Sequence, residues 1–120
     1  MNAESASGAR GQLFNALVTL AISADAQVAW LKKIGTFPST DELALEFSDW
    51  SEILPQLVDS GVVDSPASIA IQQVGETLDK VQEAGVQAID DLANSRLWED
   101  VRSAAGKAVV RLLDPLVIVR

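Results

Sequence analysis

The chain has no histidine, no cysteine and no tyrosine. Without cysteine there is no disulfide, no thiolate nucleophile and no thiolate-held zinc or iron–sulfur centre. Without histidine, the commonest general base and the commonest transition-metal ligand are missing as well. Composition alone therefore excludes Ser-His-Asp and Cys-His sites, zinc-protease helices and zinc fingers. Chemistry is left to carboxylates, lysine, hydroxyls and the backbone. There is no EF-hand spacing, P-loop or Gly-x-Gly-x-x-Gly, no internal repeat and no low-complexity tract. No cofactor and no metal are expected.

Long apolar runs are missing too. The uncharged stretch between Arg10 and Asp25 covers only residues 11–24, short of the about 20 residues a membrane span needs. Its core, Leu13 to Ile22, leads into Ser23-Ala24-Asp25-Ala26 and has the outline of a signal sequence with an Ala-x-Ala cleavage site. Asn15 and Thr19 interrupt that run and Glu4 opposes the basic region, so a helix within the fold is the expected reading. A cytoplasmic location is expected with it, secretion after loss of residues 1–26 being the alternative.

The sequence does have length and apolar surface. Its 120 residues fit one domain, large enough to bury about two-thirds of the surface of its unfolded chain. Apolar residues make up 48% of the chain and the mean hydropathy is +0.20. Ala, Val, Leu and Ile dominate, and so large an apolar share in so small a domain points to surface covered by another chain.

Periodicity predicts an all-α fold of four to five helices after a polar tail at residues 1–9, with residues 10–120 as one helical domain. Apolar positions from Leu13 to Ile34 recur three and four apart, predicting one helix from Gly11 to Ile34 that stops at Gly35. Ser39 and Glu42 have capping-box spacing ahead of a short helix over 40–47. Ser48 is placed to cap the next helix, which Pro55 should split near Leu54. Ser65-Pro66 opens the longest expected helix, 66–93, with a seam of Ile71, Val74, Leu78, Val81, Gly85, Ala88 and Leu92. Glu76, Asp79, Glu83 and Asp90 fall on its opposite face. A strand over 69–74 is the competing assignment. A last helix is expected over 96–113, ended by Asp114-Pro115. Leu116-Val117-Ile118-Val119 is then expected not to be a loose tail: it pairs with Val62-Val63 as a minimal strand, covers the open end of the bundle or docks on a partner chain.

Charge is segregated. The chain carries −8 overall, but residues 36–95 hold 12 of the acids and only Lys80 as a base, while both ends are mildly basic. The acids group as Asp41, Glu42 and Glu46; Glu76, Asp79 and Glu83; and Asp90 with Asp91. Such runs are expected to be solvated helix faces.

Residues 39–64 resemble the helix–turn–helix part of a winged-helix domain, with a helix at Thr40–Phe47, a turn at Ser48-Asp49, a second helix and then Gly61-Val62-Val63. The resemblance implies a transcription-associated protein. Yet no Lys or Arg occurs between Ile34 and Asp79, and the would-be recognition helix carries Asp49, Glu52 and Asp59. A duplex would be repelled there, so no binding of duplex DNA is expected.

The reading that composition favours is a non-enzymatic protein-interaction module with an acidic surface. It would be a small inhibitor of a basic protein, of the immunity or antitoxin kind, or a subunit of a larger assembly, homo-oligomers included. The winged-helix reading is the alternative, and a carboxylate-dependent hydrolase comes third. Candidate partner contacts are Trp50 with Asp49 and Glu52, Trp98 between charged neighbours, the seam residues Ile71, Val74, Leu78 and Val81, and Leu116 and Ile118 in the apolar ending. Aromatics with charged neighbours are a frequent composition of interface hot spots.

Overall fold

A computed structural model describes residues 2–118 of the chain, with side chains as far as Leu113. Among the described residues there are seven helices and no strand: α1 Ala3–Ala21, α2 Ala24–Lys33, α3 Asp41–Ser51, α4 Leu54–Asp59, α5 Ser65–Ala84, α6 Asp91–Asn94 and α7 Arg96–Ile118. The all-α expectation holds. The count exceeds four to five because two expected helices are each divided.

The first division falls at Ile22-Ser23. Ile22 is extended (φ −71°, ψ 167°) and the Ser23 hydroxyl caps α2 by accepting from the Ala26 amide. A helix that ends leaves carbonyls without partners. Here Gln27, fully buried, supplies them: its Nε2 donates to the Thr19 carbonyl at 3.2 Å and the Leu20 carbonyl at 3.1 Å. Its Oε1 accepts from Arg102 at 3.2 Å, so the α1–α2 corner is tied to α7.

The second division falls at Gly85, which adopts a left-handed conformation (φ 70°) that only glycine takes without strain. Its amide bonds the Gln82 carbonyl and the Val86 amide reaches back to Val81, the Schellman pattern of a helix end. The same pair of bonds closes α2 at Gly35 and α4 at Gly61. The expected helix over 66–93 is therefore α5, a loop and α6, and Leu92 reaches the core from α6. The 69–74 segment lies within α5, not in a strand. Ser65-Pro66 does open α5, but Asp64 is the cap, accepting from the Ala67 amide at 2.9 Å.

Other boundaries also move. The expected polar tail is helical from Ala3, capped by the Asn2 side chain, and Ala6 and Ala9 are buried; small side chains let this turn lie against the core. Ser39 does not cap through a box. Its hydroxyl accepts from the Asp41 amide, and Thr40 takes the cap position without a side-chain cap bond. α3 runs straight through Ser48-Asp49, and the six-residue α4 begins at Leu54 with Pro55 in its first turn. The turn expected at Ser48-Asp49 therefore lies at Glu52-Ile53, and the second helix of the expected helix–turn–helix is the short α4.

At the C-terminal end α7 continues past Pro115 to Ile118. Pro115 has no N–H for the carbonyl four residues back, but one lost bond does not end the helix. Among the described residues no strand forms with Val62-Val63: Val63 is buried as a bend, and the Val62 carbonyl is taken by Arg10 Nε at 3.0 Å. Arg10 Nη2 also donates to the Leu112 carbonyl at 2.6 Å. The side chains of Leu116 and Ile118, and all of Val119, lie outside the described residues.

The core is a single hydrophobic cluster reached by all seven helices. α7 packs most extensively against α5 and next against α1, which also carries α3. Buried Trp98, Val101, Ala105, Ala108 and Leu112 form the central face of α7. No helix among the described residues is long and apolar enough to cross a membrane.

Replacing Gln27 by Leu is expected to destabilise the fold by about 1–3 kcal/mol, because one buried carbonyl loses its partner, and a part-buried carbonyl and a guanidinium N–H lose theirs. Chemical denaturation checks this. A loss under about 0.5 kcal/mol, the size of a neutral surface change, would mean water replaces the amide.

Candidate interaction surfaces

The expected contact residues do not form one surface. Trp98 is 1% exposed and its Nε1 donates to the Val86 carbonyl at 2.7 Å. Ile71, Val74 and Val81 are buried within the chain, and Leu78 is half-buried against the same core. The chain's own helices fill the seam. Trp50 is half-buried against the core, while its neighbours Asp49 and Glu52 are exposed.

Two concave surfaces stand out among the described residues. The first is a cleft of about 180 Å³ between α3 and α5, floored by Phe47, Leu78 and Trp98. Asp41 and Asp79 line it together with Ser48, Ser51 and Gln82. Its end wall is the loop after Gly85, held twice over. Trp98 takes the Val86 carbonyl, and the buried Thr40 hydroxyl donates to the Gln87 carbonyl at 2.7 Å. Thr40 and Trp98 lie far apart in sequence, and their periodicity carries no sign of this joint role.

Among the described residues no three carboxylates converge as a metal site would require. Asp91 is occupied locally, its Oδ2 accepting from the Ala88 amide at 3.0 Å. Arg96 and Asp100 form an exposed i,i+4 pair at 3.6 Å, an interaction of little energetic weight.

The second surface is a groove of about 1000 Å³ between α5 and α7. Ala70, Ser103 and Gly106 keep its floor low. Ile69 and Val110 stand on its two sides, 57% and 58% exposed, and Lys107 and Arg111 complete the α7 wall. Elsewhere the exposed apolar side chains have simpler surroundings. Phe37 lies under the Lys32 ammonium, 4.9 Å from the ring centre, and Leu45 stands on α3 between acidic turns. In the groove, two exposed β-branched residues from different helices line one concavity.

Burial pushes the Glu46 carboxyl above the ordinary carboxylate value, and Glu42 one turn away adds to the shift. The folded chain holds that proton more tightly than the unfolded chain does. Glu46 therefore costs stability as pH rises through and above the carboxylate range, and the cost is absent below it. Glu46→Gln is expected to raise the melting temperature at neutral pH and to lose that advantage at about pH 3. Thermal melts at the two pH values check it; an equal gain at both would assign the effect to helix propensity instead.

Comparison with protein-family models, with curated proteins and with solved structures finds no significant match for this chain.

Proposed function

We propose that the chain is a non-enzymatic protein-interaction module. The observation that carries this reading is the α5–α7 groove, where Ile69 and Val110 stay more than half exposed beside a floor of small residues. Exposed apolar surface in a concavity is a common mark of a docking site, and covering the part of each side chain that is still exposed would favour association by about 1–2 kcal/mol before ordering costs. The lack of histidine, cysteine and tyrosine supports the non-enzymatic part. The exposed acids Asp49, Glu52, Glu76, Asp79 and Glu83 would favour solubility and oppose binding to duplex DNA.

A second surface fits the inhibitor version of the same reading. The α3–α5 cleft, with Asp41 and Asp79 on its lining and an aromatic floor, is suited to a Lys or Arg side chain from a basic protein.

The test is the double variant Ile69→Asp, Val110→Asp. Both positions are exposed, so the helical spectrum and melting should stay within the small range of surface substitutions, about 0.5 kcal/mol. The wild-type chain should self-associate in sedimentation or recover a stoichiometric protein from lysate, and the double variant should lose that association. A wild-type chain that sediments as a monomer and recovers nothing stoichiometric would refute the proposal.

A further inference from the structure

We infer that the α5–α7 groove seats an amphipathic helix that carries carboxylates beside its apolar edge. The inference rests on the interaction-module reading and names the chemistry of the partner.

The groove's dimensions come first. Its lining runs from Pro66 to Gln73 on α5 and from Ser103 to Arg111 on α7, about two helical turns or some 12 Å on each side. That length accommodates apolar anchors at i, i+4 and i+7 of a docked helix. The floor leaves room for them: a Cβ added to Gly106 would meet no atom within 4 Å. The trough is too open to enclose a small molecule in the way a ligand pocket does.

Charge selects among helical partners. The chain holds 17 acids against 9 bases, yet the charged residues lining the groove are Lys107 and Arg111, one turn apart on α7. None of the acids of α5, Glu76, Asp79 or Glu83, lies on that lining. At physiological salt the screening length is about 8 Å, and Arg111 is already engaged within the chain, so Lys107 is the cation that sets the local sign of charge for a ligand seated between the helices. A second copy fits less well. An antiparallel two-fold, groove-to-groove contact would set Lys107, at the middle of the α7 lining, near its own counterpart, and like charges across an interface are unfavourable.

Fluorescence anisotropy of the full chain with two labelled helical peptides of about 18 residues tests the inference, a length at which isolated helices begin to hold. Both peptides carry Leu at i, i+4 and i+7. One has Glu flanking that edge and the other has Lys. At about 0.15 M salt the Glu peptide should bind saturably, with the Lys peptide at least about tenfold weaker. Val110→Asp should abolish binding with the helical spectrum unchanged. Lys107→Glu should narrow or reverse the preference; Lys107 is the position varied because Arg111 is already engaged within the chain. Equal or tighter binding of the Lys peptide, no binding of the Glu peptide, or binding that survives Val110→Asp would overturn the inference. If neither peptide binds but Val110→Asp dissociates a sedimenting dimer, the occupant is a second copy: the acidic-helix inference falls and the interaction reading stands. A monomer that binds neither peptide removes the acidic-helix inference, and the interaction reading then stands or falls on recovery of a stoichiometric protein from lysate.

Discussion

The close approach of α7 to its two neighbours is the constraint on which the rest of the structure depends. Ala105 and Ala108 are fully buried at the middle of α7, with Trp98 and Val101 on one side and Leu112 on the other. Small side chains at the centre let α1 and α5 both lie against one helix, and the larger ones fill the ends. α3 then rests on α1, α6 on α7, and the short α4 between α1 and α5. Larger side chains at those two alanines would separate the main helices and open the cluster everywhere at once.

Polar side chains fix the corners that this packing leaves, and they do so through backbone carbonyls. Arg10 binds Val62 and Leu112, Gln27 binds Thr19 and Leu20, Thr40 binds Gln87, and Trp98 binds Val86. Each bond satisfies an acceptor at a helix end, in a loop or near a proline, where the helical ladder is interrupted. Leaving such a group buried and unpaired costs about 1–3 kcal/mol. Among the described residues these bonds tie the interior together, while the Arg96–Asp100 ion pair lies at the exposed surface.

The surface divides in two. The acidic faces of α3 and α5 turn to solvent, and the α5–α7 groove collects exposed apolar residues beside two cations. The basic excess of residues 96–120 was legible in the sequence, and so was an apolar surplus suggesting covered surface. That Ile69 would meet Val110 across a trough was not. The two residues belong to separate helical patterns, and each reads as a stray apolar position on its own helix.

Local chemistry by itself determined the helical class, the exclusion of histidine and thiol chemistry, the segregation of charge, the stops at Gly35 and Gly61 and the new start at Pro55. Each depends on a residue's own backbone preference or on neighbours within one turn. The break at Ile22-Ser23, the end of α5 at Gly85, the burial of Trp98 and the passage of α7 through Pro115 were decided only by the tertiary structure. The apolar period runs on unbroken through Ser23 and Gly85, so local spacing favours continuous helices there. What reverses that preference is distant. The α1–α2 corner closes on Arg102, the loop after Gly85 closes on Trp98 and Thr40, and the Val62 carbonyl that a C-terminal strand would have used is held by Arg10. Contacts between residues so far apart along the chain leave no mark on its periodicity, because their energy exists only once the helices have packed.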